Sequence, residues 1–215
     1  LHLVRRPSRR PIEMGERPLT IDELVKARES YSYIPARLVL APITDQAAVR
    51  LDKVGLEMDV PPGWENNDRT IWAQYSSIGL DTFHRELLNS QEDGALLHGL
   101  LSVTFWGYLS GARGRVTEGR ALARTNWICQ GRGDAPPQNK QEILLHLRTA
   151  RQHVLSDSPA LALREAMRIS YLGMSFASKV VAFMGPDVAS VYDKIISDGL
   201  REETNPELQA LFVDT

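Results

Sequence analysis

The second half of the chain carries apolar residues at the spacing of α-helices, and this pattern restricts the possible folds more than any other feature. One apolar face is formed by Ile143, Leu147, Ala150 and Val154. These positions recur every three or four residues, which places them on one side of a helix. Ser158-Pro159 then supplies an N-cap and a first helical residue, and the helix is expected to run to about Ser170. The sequence therefore predicts a mostly α-helical protein.

The first half contains fewer signals, and they fit the same fold class. Arginines alternate with prolines and a serine in residues 1–19, which predicts an extended basic arm. Thr20 and Glu23 have the spacing of a capping box and predict a helix, while residues 36–40 predict a short strand. A strongly apolar run follows over residues 95–108. We expect a single helical domain over residues 20–215.

Composition excludes several classes of protein. The chain has 215 residues, 43% of them hydrophobic, which is ample for a core. It has 25 basic and 27 acidic side chains, a formal net charge of −2. A lone cysteine, Cys129, excludes an internal disulfide and a four-thiolate zinc or iron–sulfur site. No apolar stretch reaches the roughly 18 residues of a membrane span, and the first residues do not resemble a signal peptide. We therefore expect an intracellular protein with no membrane association.

A basic segment follows the apolar run. It holds four arginines against one glutamate, and these arginines are Arg113, Arg115, Arg120 and Arg124. Such a patch can bind phosphate, although a solvated face remains the alternative. Three aromatic residues flank it and are candidates for a base-binding pocket: Trp106, Tyr108 and Trp127. Core packing remains the alternative for all three, and Gly107 between two of them would allow close approach of a ligand.

The most informative segment is residues 169–184, where one helix ends and another begins within a few residues. Gly173 is expected to adopt the left-handed backbone of a tight turn, and Ser175 is expected to be the N-cap of the second helix. The free amides and the dipole at the start of that helix form a natural phosphate site. The pattern predicts a helical hairpin near residues 160–184.

With Asp193 further along the chain, this segment resembles the helix-hairpin-helix DNA glycosylase superfamily, and within it the 8-oxoguanine branch. Residues 169–177 align without gaps with the hairpin motif of that superfamily, in which Tyr171 replaces the first glycine and Ser170 the proline. Asp193 follows Ser175 by 18 positions (193 − 175), an interval typical of the family. The resemblance implies a hydrolase of base-excision repair that removes a damaged or mismatched base from DNA.

The resemblance also implies roles for individual residues. Asp193 corresponds to the carboxylate that stabilises the sugar cation and assists the attacking water. Ser175 occupies the position at which bifunctional members carry a nucleophilic lysine and adenine-mismatch glycosylases carry serine. Lys179 lies one helical turn after Ser175 and is open to three interpretations: a phosphate ligand, a Schiff-base nucleophile or a solvated lysine. The hairpin residues expected to contact DNA are Leu172, Gly173, Met174, Ser175, Phe176 and Ser178. Monofunctional hydrolysis is favoured over strand cleavage, with no cofactor or metal and with DNA as the partner.

Several alternatives remain open at this point. Asp193 can be a helix N-cap without a catalytic role, and Gly173 can simply end a helix. The protein can also be a non-catalytic helix-hairpin-helix nucleic-acid-binding protein or a helical protein-interaction module. The histidines lack the spacing of a metal site: His146 and His153 lie seven residues apart. For a DNA-repair enzyme we expect a cytoplasmic, nucleoid-associated or nuclear location.

Overall fold

Helices predominate in the part of this protein that the structure describes, as the sequence predicts. The computed structural model describes residues 37–42, 51–52, 55–64, 77–111 and 118–191. The strands and helices within them are β1 (Arg37–Pro42), β2 (Leu51–Asp52), β3 (Gly55–Val60), α1 (Ser77–Leu88), α2 (Asp93–Gly111), α3 (Glu118–Gln130), α4 (Lys140–Leu155), α5 (Pro159–Ala166) and α6 (Met174–Met184). The predicted basic arm, the predicted helix from Thr20, and Asp193 lie outside the described residues.

A small sheet accompanies the helices. The strand predicted for residues 36–40 is present as β1, which pairs in parallel with β3, while β2 pairs with β3 in antiparallel orientation. Met58 and Val60 are two residues apart on β3, so they share one face, and both are buried. Because β3 contacts α3 and β1 contacts α2, the sheet packs against the helical core.

The apolar run predicted over residues 95–108 forms α2, the central helix of the fold. Every residue from Leu96 to Trp106 is buried, and α2 contacts α1, α3, α4 and α6. A helix that is apolar on all sides needs partners on all sides, which these neighbours provide. The buried Thr104 hydroxyl donates a hydrogen bond to the Leu100 carbonyl oxygen at 2.8 Å. Among the described helices, none combines the length and the apolarity needed to cross a bilayer.

The helices α4, α5 and α6 form the C-terminal part of the described core. All four residues of the predicted apolar face are buried on α4, which confirms the periodicity. Ser158 and Pro159 occupy the N-cap and first helical position of α5, also as predicted. However, α5 ends at Ala166 and not near Ser170. The amides of Arg168 and Ile169, which follow the helix, donate to carbonyl oxygens three residues back. These are the bonds of tight turns and not of an α-helix, so the regular helix does not continue.

Candidate functional site

A turn over residues 167–173 joins α5 to α6, and its backbone differs from the predicted one in two respects. Gly173, and not Ser175, is the N-cap of α6, so the prediction for Ser175 was wrong. Gly173 has φ −72° and ψ 171°, an extended backbone, so the left-handed prediction for this glycine was also wrong. The left-handed residue is Tyr171, with φ 66°. In the alignment with the hairpin motif, Tyr171 takes the position of the first glycine. Glycine adopts a left-handed backbone easily because it has no Cβ atom, whereas tyrosine does not.

Contacts from α3 and from the loop that follows it support this turn. The backbone N–H of Ser170 donates a hydrogen bond to the Gln138 side-chain oxygen at 2.9 Å. The ring of Tyr171 lies 6.2 Å from that of Trp127, measured between centroids. A bulky residue is uncommon in the left-handed region and persists there where its surroundings fix it. Gln138 and Trp127 therefore add tertiary contacts to the local hydrogen bond of the turn, in which the Leu172 N–H donates to the Ile169 carbonyl oxygen at 3.1 Å.

Ser175 and Lys179, two of the predicted catalytic residues, meet on the first turns of α6. The Lys179 Nζ donates a hydrogen bond to the Ser175 Oγ at 3.1 Å and lies 3.5 Å from the Ser175 carbonyl oxygen. The same ammonium lies 5.5 Å from the centroid of the Phe176 ring, within range of a cation–π interaction. The spacing of four residues thus brings the hydroxyl and the amine together, as the sequence indicated. The third predicted catalytic residue, Asp193, lies outside the described residues.

Two further helices contribute side chains to the same region. Tyr108 of α2 lies 4.4 Å from Phe176 between ring centroids, and the Arg124 guanidinium of α3 lies 5.3 Å from the Tyr108 ring centroid. We call these residues the α2–α3–α6 cluster: Tyr108, Arg124, Ser175, Phe176 and Lys179. Partial burial raises the pKa of Tyr108, an effect that the positive charge of Arg124 partly offsets. The phenol therefore stays protonated at neutral pH and can donate a hydrogen bond.

Some predicted site residues belong instead to the core. Trp106 is 3% exposed and packs edge-on against Phe105 at 5.4 Å, so it presents no face on which a base can stack. Leu172 is equally buried, and the buried Ser178 hydroxyl donates a hydrogen bond to the Ser175 carbonyl oxygen at 3.0 Å. The side chains of Trp106, Leu172 and Ser178 face inward because these residues lie on the sides of α2, the turn and α6 that pack against the core. For these three residues, a direct side-chain contact with a nucleic acid is not compatible with this packing.

The remaining predicted binding residues lie at the surface or outside the described part. Gly173 and Met174 are exposed at the turn. Arg120 is exposed on α3, and Trp127 is partly exposed beside Tyr171. Arg113 and Arg115 lie outside the described residues. Of the predicted arginine patch, the structure thus joins Arg124 to the α2–α3–α6 cluster.

Gly107 determines how closely α2 and α6 approach each other. A Cβ atom on Gly107 would lie 2.5 Å from Cε1 of Phe176, 3.0 Å from its Cδ1 and 3.5 Å from Cδ of Lys179. The space beside this glycine is therefore filled by the protein's own side chain and not by a ligand. Sequence reasoning missed this contact, although a glycine between two aromatic residues of an apolar helix is a signal for close packing.

Substituting Gly107 by alanine should displace the Phe176 ring from Tyr108 and destabilise the fold by about 1–3 kcal/mol, as overpacking does. Gly94→Ala is the matched control, because Gly94 lies on the same helix and an added Cβ meets nothing within 4 Å. That variant should be up to about 1 kcal/mol more stable than the wild type. Urea unfolding of both variants tests the difference. Equal stabilisation by the two substitutions would show that the Gly107 contact is unimportant.

The other titratable groups of the core lie apart from this cluster. His84 and His98 are both fully buried, and the His84 Nε2 lies 2.8 Å from the Ser102 Oγ. Burial, and secondarily the neighbouring His98, lowers the pKa of His84 to about 3, so it is neutral at pH 7. Burial raises the pKa of the Cys129 thiol to about 12, which disfavours a thiolate nucleophile. Within the described ranges, no three His, Cys, Asp or Glu residues are grouped closely enough to hold a metal ion.

The α2–α3–α6 cluster combines two cationic groups, two aromatic rings and two hydroxyls. Arginine and lysine attract phosphate, and aromatic faces stack on planar rings such as nucleobases. The hydroxyls of Tyr108 and Ser175 supply hydrogen bonds that can orient a bound group. Comparisons with models of known protein families, with curated proteins and with solved structures found no match to this chain.

Proposed function

We propose that this protein is a DNA glycosylase that hydrolyses the N-glycosidic bond of a damaged or mismatched base in base-excision repair. The main support is the turn between α5 and α6. Its left-handed residue, Tyr171, falls where the resembling hairpin motif has its first glycine. Phe176, near the start of α6, lies against Tyr108, whose ring is also in contact with Arg124, so the segment that resembles the family contributes to the cationic and aromatic cluster.

In this proposal, the turn and the cluster bind the DNA backbone. The amides of Met174 and Ser175 lie in the first turn of α6 and have no acceptor within that helix, so they suit a phosphate. The cations Arg124 and Lys179 add charge, which makes the binding dependent on salt. The extruded base stacks on the partly exposed Tyr108 and Phe176, since a glycosylase must take its base out of the helix.

The proposed chemistry is hydrolysis assisted by Asp193. The bond between the sugar C1′ and the base nitrogen breaks, and the base leaves with the electron pair. The carboxylate of Asp193 stabilises the positive charge on the sugar and accepts the proton of the water that attacks C1′. The leaving base takes up a proton from solvent. No covalent enzyme intermediate forms, so the strand stays intact, and the enzyme would act at the nucleoid or in the nucleus.

A single-turnover assay tests this function and the role of Lys179. The substrates are duplexes that carry 8-oxoguanine, uracil, mismatched adenine or an alkylated base, each with and without borohydride. We expect the wild type to release a base without a trapped adduct. Lys179→Met should weaken DNA binding and reduce the slope of log affinity against log salt by about one, because one phosphate contact is lost. Lys179→Arg should restore that slope.

Three other results would change the proposal. A borohydride adduct that disappears in Lys179→Met would make Lys179 the nucleophile of a bifunctional enzyme. Failure to release any base, with salt-sensitive DNA binding retained, would favour a non-catalytic nucleic-acid-binding protein. That second candidate is supported by the absence of the family's first hairpin glycine, at position 171, together with the absence of its lysine, at position 175. Absence of DNA binding would refute both.

A further inference from the structure

The loop between α3 and α4 contains a tight turn that borders the α5–α6 turn. The N–H of Arg132 donates to the Ala135 carbonyl oxygen at 3.0 Å, and the N–H of Ala135 donates to the Arg132 carbonyl oxygen at 3.1 Å. Gly131 has φ 79° and Gly133 has φ 59°. A Cβ on Gly131 would lie 2.2 Å from the Ala135 carbonyl oxygen, so this position requires glycine. The backbone on both sides of Arg132 is therefore well defined.

This turn holds Arg132 over an aromatic ring. The Arg132 Cζ lies 4.5 Å from the centroid of the Trp127 ring. Arg132 is exposed and Trp127 is partly exposed, so the pair lies at the protein surface. A guanidinium is planar and weakly hydrated, and it can stack on one ring while a second planar group stacks on its other face. We call this pair the Arg132–Trp127 stack.

The turn before α6 is in contact both with the Arg132–Trp127 stack and with the loop that carries Arg132. Trp127 lies next to Tyr171, the left-handed residue of that turn. Gln138, near the end of the same loop, accepts a hydrogen bond from the N–H of Ser170. The Arg132–Trp127 stack is therefore an exposed, cationic and planar surface next to the turn to which the proposed function assigns DNA binding.

We propose that the Arg132–Trp127 stack binds an unpaired nucleobase of single-stranded DNA that continues from the strand at the α5–α6 turn. Single-stranded nucleic acids are bound by planar groups that stack on bases and by cations that follow the backbone. Arg132 provides both properties in one side chain. Bases paired within a duplex are already stacked and cannot use this surface. The inference rests on the proposed function and adds a preference for unpaired DNA next to the excised base.

The test compares Arg132→Ala and Arg132→Lys in the full chain. The probes are a short single-stranded oligonucleotide and the blunt duplex that it forms with its complement, titrated at several salt concentrations. Arg132→Ala should weaken single-strand binding by about tenfold, the usual size of a lost base-stacking contact, and duplex binding by less. Arg132→Lys should keep the salt dependence of the wild type but not its single-strand affinity. Lysine retains the positive charge but has no planar group that can stack on a base.

Asp134 offers a matched control for charge. It is exposed in the same turn, and Asp134→Asn should tighten binding of both probes by a similar factor, since it removes repulsion of phosphate without affecting stacking. Trp127 emission should be quenched by the single strand, and Trp127→Phe should lose that quenching.

The outcomes separate this inference from the glycosylase proposal, because base release is measured on the same proteins. Equal effects of Arg132→Ala on both probes, or full rescue by lysine, would overturn the stacking surface, even if the wild type releases base normally. Selective loss of single-strand binding in a protein that releases no base would support the surface and refute the enzyme. No binding of either probe by the wild type would overturn both proposals.

Discussion

Replacing Asp193 by asparagine should slow single-turnover base release by about 10²- to 10⁴-fold, the usual contribution of a group that moves a proton in the transition state. Asparagine has nearly the same shape but cannot accept the proton of the attacking water, and it carries no negative charge to stabilise the sugar cation. DNA affinity should stay the same or rise slightly, since a carboxylate near phosphates is removed. Single-turnover rates and equilibrium binding, measured on the same lesion duplex, separate the two effects.

Two control variants distinguish catalysis from simpler roles of this residue. Asp187→Asn makes the same change of charge at an exposed position that follows α6, and it should leave the rate unchanged. Asp193→Ser preserves a side chain that can cap a helix, so it should be as slow as Asp193→Asn if the carboxylate is catalytic. Full activity of the serine variant would show that Asp193 acts only as a helix N-cap and that its carboxylate is not catalytic. An equal loss in Asp187→Asn would indicate a general effect of charge.

The second large effect is a pH dependence of stability that arises from His84. Its pKa is about 3 in the folded protein and near 6.5 in an unfolded chain, so between these values the unfolded state binds one proton more. The free energy of unfolding therefore decreases as the pH falls below about 6.5, by about 1.4 kcal/mol per pH unit. Between about pH 7 and about pH 5 the loss from His84 alone should be about 2 kcal/mol.

Urea unfolding of the wild type and His84→Gln at several pH values measures this contribution. Glutamine is neutral throughout and can still bond to the Ser102 hydroxyl, so the variant should lose less stability on acidification, although it starts lower at pH 7. Parallel pH curves for the wild type and His84→Gln would show that His84 takes up no proton on unfolding.

The helices could be predicted because their signals are local. The apolar spacing of α4 and the Ser158-Pro159 start of α5 each lie within one segment, and both are present in the structure. The strand β3 was missed, because six residues with alternating apolar and acidic side chains give only a short signal. The end of α5 was misplaced because nothing in residues 167–170 forbids a helix. The position at which α5 ends is determined by the packing of the turn that follows.

The candidate site was predicted in part, for the same physical reason. Ser175 and Lys179 are four residues apart on one helix, so their contact follows from helical geometry. The contact of Arg124 with Tyr108 joins different helices, and no sequence interval encodes it. Trp106 and Tyr108 are two residues apart on α2 and therefore point in different directions. The first is buried in the core, while the second reaches the cluster.

The left-handed Tyr171 has a consequence for the autonomy of the hairpin segment. A glycine at this position adopts the left-handed backbone without support from other parts of the protein. A hairpin with that glycine is therefore expected to keep its turn when it is moved into another protein. Here the turn is closed locally by the Leu172 N–H, which donates to the Ile169 carbonyl oxygen at 3.1 Å, and a second hydrogen bond ties it to Gln138, 32 residues before Ser170. Residues 159–184 grafted onto another scaffold would keep this local hydrogen bond but would leave Gln138 and Trp127 behind. Tyr171 would then lose the tertiary contacts that help to hold its left-handed backbone. The conformation of the hairpin therefore depends in part on contacts with α3 and with the loop between α3 and α4.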